Sequence, residues 1–493
     1  MPQFYKMSES VKKGRFPVSV PFIIANEGAE RFSFYGMRSI LATFLVAQFF
    51  NPSMNPALQT VAEAKANEAT HFFVSLAYAL PFVGGIAADW FFGKYKVILY
   101  ISVVYCFGHL FLALFEQDLT MFQYGLLLIA VGAGGIKSCV SANLGDQFDE
   151  SNRHLMSKIY GWFYFAINSG SVLSTILIPL IYANYGAKWA FGIPGIFMAL
   201  ATIIFFAGRK RYVRVPPSGV NRNNFVFISL YALFNMGKKE KGRSVLDVAK
   251  KKYLPEKVED VKSVYRVLAV FCFIPVFWAM WDQNLSEWVL QATKLDRTIF
   301  GFQLLPEQIQ TVNPFFLLVF IPVFNYLVYP FFDRLGLKTT PLRRIGAGLV
   351  LTLASFTIIA LLQTEIDGGA HPTVWWQILA YVILSAAEVL VSITGLEYAY
   401  TQAPKSMKST MTAIWLLTTG LGNLFTALVN KSISAGGFFS QFHGAGYYWF
   451  FIALLGSTIL VYLLVTPFLQ ESKPGSRVSD EDELLVASQS HGQ

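Results

Sequence analysis

The sequence predicts an all-α polytopic membrane protein with twelve spanning helices in two sets of six. Only 14% of its 493 residues are charged and 54% are hydrophobic, and the mean hydropathy is +0.47. A soluble globular domain carries about 25% charged residues. The apolar residues gather into stretches of the length that crosses a bilayer, about 20 residues of helix. One long polar stretch, 208–263, divides these stretches into equal sets.

The chain opens on MPQFYKMSESVKKGRFPVSV, which is basic and polar. It runs without a small-residue cleavage site into a stretch too long for a signal-peptide core, so it reads as retained. Spans are expected at 18–49, 70–92, 96–115, 120–144, 158–182, 188–207, 265–291, 310–332, 342–363, 374–402, 408–431 and 446–469. The longer ones imply tilt, kinks or extension beyond the bilayer. The 46 Phe suit lipid-facing packing and interfacial belts. Cys106, Cys139 and Cys272 lie far apart in apolar sequence without metal spacing, and read as buried, inert thiols.

The stretch 208–263 holds 14 Lys and Arg against five acidic residues, and this surplus of nine equals the net charge of the whole protein. The basic balance therefore describes one loop near anionic lipid and excludes a nucleic-acid-binding surface. Within it, FVFISLYALF at 225–234 is too short to span and reads as a helix along the membrane surface. With the N-terminus taken as inside, the short inside loops and N-terminal tail carry 14 Lys and Arg, and the outside loops carry five. That asymmetry places both termini in the cytoplasm. The domains expected are a six-helix set at 1–207, a basic linker at 208–263, a second set at 264–470 and an acidic, solvated tail at 471–493.

Seven charges remain deep in apolar sequence: Glu27, Glu30, Arg31, Arg38, Lys137, Asp282 and Glu388. Each costs at least about 2.5–3.5 kcal/mol to insert, so such residues normally face a cavity and pair with one another. Three cations nearly neutralise four anions, and the carboxylate left over can hold a titratable proton. Glu27, Arg31, Tyr35 and Arg38 recur at helical steps on one face of the first span, with Glu30 adjoining. Lys137, in the small-residue run GAGGIKSCVSANLGDQF, is placed either to pair with a first-span carboxylate or to bind a substrate carboxylate. Glu388 is isolated, so it takes a cation from elsewhere or from a ligand, or stays protonated. Asp282 follows Trp278 and Trp281, which form either an apolar pocket or core. Asp89, in GGIAADWFFGKYK, sits at an inside junction where it is placed to cap a helix and pair across the two sets as a gate. No HExxH, GxSxG or Walker A pattern appears, so neither a membrane enzyme nor nucleotide-driven pumping has a visible constellation.

These residues have a family look. EGAERFSFYGMRSIL resembles the E-x-x-E-R-F-x-x-Y-G signature of the proton-dependent oligopeptide transporter family, a branch of the major facilitator superfamily. WFYFAINSGSVLS at 162–174 resembles the family's F-Y-x-x-I-N-x-G-S signature, and GIKSCVSANLGDQF, FWAMWDQ and EVLVSITGLEYAYTQAP are similar to its fourth, seventh and tenth spans. Two departures stand out: Ser138 where the family usually has proline, and Phe34 where a tyrosine often precedes the signature tyrosine.

The resemblance implies the major facilitator fold, two six-helix bundles around a central cavity with alternating access. It implies proton coupling by Glu27, Glu30, Arg31, Lys137 and Asp282, and a peptide carboxylate drawn to Arg38 and Lys137 with the amino terminus on Glu388. Tyr35, Tyr78, Asn168, Trp278 and Asn313 match positions that line the pocket, and Arg38 with Asp282 resembles an outer gate. The expected function is a proton-coupled symporter of di- and tripeptides in the plasma (inner) membrane. Its expected partners are short peptides, protons and the lipid bilayer, with no cofactor, metal, nucleic acid or obligate protein partner. The rival readings are a proton-coupled carrier of histidine, nitrate or a peptide-like drug, and a peptide sensor that does not transport.

Overall fold

Helix length and apolarity decide which segments cross. The computed structural model describes residues 16–50, 56–149, 151–220, 222–240, 242–404 and 407–469. Among them, ten helices are long and apolar enough to span a bilayer. An eleventh span is broken, its halves Pro255–Phe271 and Ile274–Ala292 meeting at 45°. The twelfth, Val20–Leu45, carries too much charge to qualify on composition, yet Glu27, Glu30, Arg31 and Arg38 are all buried in the protein. In chain order the helices are α1 (Val20–Leu45), α2 (Leu58–Phe92), α3 (Lys94–Leu114), α4 (Leu119–Gly145), α5 (Lys158–Tyr185) and α6 (Ala187–Lys210). Helix α7 (Phe225–Phe234) lies in the linker. Then come α8 (Pro255–Phe271), α9 (Ile274–Ala292), α10 (Pro306–Arg334), α11 (Pro341–Asp367), α12 (Trp375–Gln402), α13 (Thr410–Ser434) and α14 (Ala445–Phe468).

A helix stands at each of the twelve expected positions, eleven of them apolar enough to span with the bent pair taken as one, and two boundaries are shifted. Helix α2 starts at Leu58 rather than near 70, because LQTVAEAKANEAT is polar yet rich in strong helix formers and extends the helix beyond the apolar zone. The seventh span starts earlier and is bent, with Pro275 in the first turn of its second half, where a missing N–H costs no internal bond. Cys272 lies at this bend and is exposed; Cys106 is half-buried, and of the three cysteines only Cys139 is buried as expected.

The buried apolar side chains form two cores, one from Val20 to Tyr212 and one from Ile228 to Tyr462. Ala64 and Leu416 each seat in the opposite core. Glycines bring the helices together: a Cβ on Gly170 would stand 2.5 Å from the Gly28 carbonyl oxygen, so α5 crosses α1 backbone on backbone. Between α9 and α10 a small hairpin pairs Thr298–Ile299 with Phe302–Gln303.

The linker is anchored to its neighbours at its start and at α7. Gln147, just past the end of α4, bonds both ways with the Val213 backbone, at 2.9 and 3.2 Å. The Ser218 amide donates to the Asp89 carbonyl at 2.8 Å. Helix α7 is capped by Asn224, stacks Phe227 on Trp90 of α2, and buries Ile228 and Ala232. Residues 1–15, 405–406 and the acidic stretch 470–493 lie outside the described residues, as do the side chains of Arg153 and Lys408.

Candidate functional site

Helix α1 places its charges one turn apart on a face turned away from lipid. Arg31 Nε lies 2.9 Å from Glu27 Oε1 and 2.8 Å from Glu30 Oε2, with all three side chains almost wholly buried. One guanidinium between two carboxylates is an incomplete neutralisation, since two negative charges meet one positive charge in a low-dielectric setting.

The nearest further cation is Lys137 of α4, and here the structure departs from expectation. Lys137 Nζ makes no hydrogen bond among the described residues; it lies 3.4 Å from the centroid of the Tyr78 ring and 4.6 Å from that of Phe34. Two aromatic faces hold the ammonium by their quadrupoles in place of a carboxylate. Glu27, Arg31, Lys137, Ser138 and Ser141 share a cavity of about 40 Å³ with Thr412 and Leu416 of α13. Tyr78 thus works as the floor under Lys137, not as a wall of the central cavity. Phe34, which breaks the expected tyrosine pattern, supplies the second ring.

A second network joins the two sets of helices. Arg38 of α1 forms a buried ion pair with Asp282 of α9. The other Asp282 oxygen accepts from Asn423 Nδ2 at 2.6 Å, and Asn423 Oδ1 lies 2.8 Å from His71 Nδ1. His71 Nε2 completes the chain at 2.8 Å from Ser286 Oγ. Because Asp282 requires the Asn423 amide nitrogen, Asn423 Oδ1 faces His71, so Nδ1 carries a proton and Nε2 is left to accept from Ser286. Nearby, Glu63 pairs with Lys294 at 2.9 Å, and Asn67 Nδ2 donates to Glu287, both across the two sets. Gln310 Nε2 donates to the Ser39 carbonyl at 3.2 Å in the same region. His71 and Glu287 were not among the sequence candidates. A neutral histidine leaves no mark on a charge tally, and Glu287 lies near the end of its span.

Glu388 sits on the opposite wall. Its Oε2 accepts from Trp281 Nε1 at 3.0 Å and Asn313 Nδ2 at 2.8 Å. A π-helical turn, Val389–Ile393, follows it directly, a distortion frequent at functional positions. Glu388, Trp281, Asn313, Asn168, Tyr35 and Gln310 surround a cavity of about 30 Å³, and Ile167 lines both this cavity and the one beside Lys137.

Three sequence candidates take different places. Trp278 is fully buried against Phe277, Trp281 and Trp415, and Gly422 lets α13 pack closely there, since a Cβ on Gly422 would stand 3.0 Å from that of Trp278. Trp281, one turn on, is the tryptophan that lines the cavity. Arg38 lines neither central cavity, being committed to Asp282. Asp89 is exposed and shows no ion pair among the described residues; the neighbouring pair is Lys94 with Asp146 at 2.8 Å, inside the first set.

A family model described as POT family matches residues 95–444. The chain belongs to the POT family. Among solved POT structures, an auto-inhibited POT family peptide transporter aligns over 94% of this chain and 99% of its own, with 34% identity and a TM-score of 0.85. The POT family transporter PepTSo aligns over 93% and 100%, with 36% identity and a TM-score of 0.84. Among curated relatives, solute carrier family 15 member 2 of Rattus norvegicus is 36% identical over 77% of this chain and 54% of that protein. Peptide transporter family 1 of Drosophila melanogaster is 38% identical over 72% of this chain and 49% of that protein. The chain spans about half the length of the curated relatives it matches. The all-α fold of this POT family member agrees with the expectation from sequence.

Proposed function

We propose that this POT family member is a proton-coupled symporter that imports di- and tripeptides across the plasma (inner) membrane, with both termini cytoplasmic. The bundles at 1–207 and 264–470 would rock about the central cavities, joined by the linker at 208–263 and followed by a solvated tail. The observation that carries this reading is the two-ended centre: Lys137 and Arg31 on one side, Glu388 on the other, with adjoining cavities that meet at Ile167. A zwitterion spans such a centre, carboxylate toward Lys137 and amine toward Glu388. Cavities of about 30 and 40 Å³ hold at most a few waters each. A peptide therefore requires the walls to part.

Coupling follows from the charge imbalance on α1. A proton on Glu27 removes one of the two carboxylates competing for Arg31, which then serves Glu30 alone. The Arg38–Asp282 pair, with His71 and Asn423 behind it, closes the end that charge asymmetry assigns to the outside. Opening that end frees Arg38 to meet the incoming carboxylate. An added proton on His71 Nε2 turns an acceptor into a donor and reverses the Ser286 bond, so the same gate is sensitive to protonation.

The test is uptake of labelled dialanine into proteoliposomes. Accumulation under an imposed inward proton gradient, abolished by an uncoupler, is the expected result. Glu27→Gln should keep dialanine counterflow and lose gradient-driven accumulation; accumulation left intact would remove the coupling role. A non-transporting sensor would show no counterflow. Competition by nitrate or free histidine in preference to dialanine would reassign the substrate.

A further inference from the structure

The largest cavity among those described lies away from the central charges, on the outer flank of the first six helices. It is a groove of about 620 Å³ between α1, α5 and Phe197 of α6. Its floor is the close crossing of α1 and α5, where Gly28, Ala29, Ala166 and Gly170 leave no side chain to fill the space. All of its lining side chains are uncharged. Trp162 and Leu173 on its rim are more than half exposed, so the groove opens sideways from the bundle and not into the transport path.

Its length is informative. On α1 it runs from Pro21 to Phe32 and on α5 from Trp162 to Leu173, eleven helical steps on each, or about 16 Å of helix. That is half of the hydrocarbon core, about 30 Å thick, and so the depth of one leaflet. The groove starts at Phe16, Pro21 and Trp162, at the membrane-surface ends of both helices. Two cations stand at this mouth. Lys158 is exposed and lies four residues before Trp162, on the same face of α5. Arg211, exposed at the end of α6, holds its guanidinium 4.9 Å from the Phe22 ring centroid, next to Pro21.

We infer that this groove is a binding site for an anionic phospholipid, with one acyl chain laid along α1 and α5 and the headgroup phosphate between Lys158 and Arg211. The depth of one leaflet fits a chain, and the paired cations at the mouth select negative charge. A bound lipid would brace the back of α1, whose other face carries Glu27 and Arg31. The inference does not depend on what the protein transports.

The experiment uses the full chain in nanodiscs with a trace of phosphatidylglycerol or phosphatidylcholine bearing a diazirine on the acyl chain, followed by peptide mapping of the adducts. Phosphatidylglycerol adducts on the segments of Trp162 to Leu173 and Pro21 to Phe32, in clear excess over phosphatidylcholine adducts, are expected. Arg211→Ala and Lys158→Ala should each reduce that excess about fivefold, the order expected for one cation at an anionic surface. Ala25→Phe, which fills the groove, should remove the adducts from both lipids. Equal labelling by the two lipids would reduce the groove to ordinary annular contact and overturn the proposal. Adducts unchanged by both cation variants, or cross-links to a second copy of the chain at these segments, would also overturn it. The two cation variants replace exposed side chains, so they keep the question open to test if Ala25→Phe fails to fold. Dialanine counterflow is followed in parallel: loss of lipid selectivity with counterflow retained separates this site from the transport reading.

Discussion

Arg38 is bound to a single carboxylate and is almost wholly buried, and that fixes what its loss of partner would cost. Asp282→Asn leaves a guanidinium buried without its counter-charge, a change that costs about 3–5 kcal/mol in comparable buried pairs. A clear fall in the unfolding midpoint of the purified protein is expected, and Arg38→Met with Asp282→Asn together should recover much of it. At Lys137 the holding groups are rings. Tyr78→Phe keeps the ring face and should leave the dialanine KM near that of the parent. Tyr78→Leu removes a contact of about 0.5–2 kcal/mol and should raise KM several-fold. Charge in apolar sequence is conspicuous, so Arg38, Asp282, Glu388 and the Glu27–Glu30–Arg31 cluster were legible as residues without coordinates, while the pairing of Arg38 with Asp282 came only from the family resemblance. The seat of Lys137 was not, because a lysine among aromatic rings looks in sequence like a lysine waiting for a carboxylate. His71 stayed hidden for a related reason: its role rests on which of two nitrogens holds a proton, and only its neighbours decide that.

At the scale of elements, close helix crossings set the tolerances. Gly170→Ala would drive a methyl to 2.5 Å from the Gly28 carbonyl, and overpacking of this kind costs about 1–3 kcal/mol. A lower thermal midpoint is expected, together with weaker labelling of the outer groove. The choice between Trp278 and Trp281 belongs here too. Both stand on α9, past the bend, and the close approach of α13 at Gly422 takes up Trp278, which leaves Trp281 to the cavity. The linker turn Val245–Lys251 allows a pH test. Asp247 pairs with Lys250 and Lys262, each at 2.8 Å, and completes a capping box with Ser244. The bond to Lys250, then that to Lys262, holds its carboxyl well below the usual range. A depressed folded pKa stabilises the turn above the unfolded value of about 4, and this stabilisation fades as pH falls from there toward the folded value. Hydrogen exchange at 245–251, corrected for intrinsic rates, should therefore lose protection below about pH 4, and Asp247→Asn should lack that step.

For the whole molecule, the contacts that cross between the two helix sets are the ones that must break if the protein works by rocking. Arg38–Asp282, Glu63–Lys294 and Asn67–Glu287 gather toward one end, the end of α2 that begins at Leu58. Spin labels at Leu58 and Thr298, both exposed, sit near that end. Lys294→Ala combined with Glu287→Gln should shift their distance distribution toward longer values. An unchanged distribution would mean that these contacts do not hold the end closed. The count of spans and the basic linker were readable from apolar run length and loop charge alone. Which end is sealed was not, because it depends on pairs more than 200 residues apart in the chain, such as Arg38 with Asp282.

The bend in the seventh span also carries its own optical handle. Cys272 sits at the joint and is exposed, Cys139 is buried, and Cys106 is half-buried with its sulfur 3.6 Å from the Thr202 hydroxyl. An environment-sensitive maleimide added to the unmodified protein should therefore react first at the joint. Its emission would then follow the angle between α8 and α9 through a turnover cycle, with no engineered cysteine and no native residue replaced.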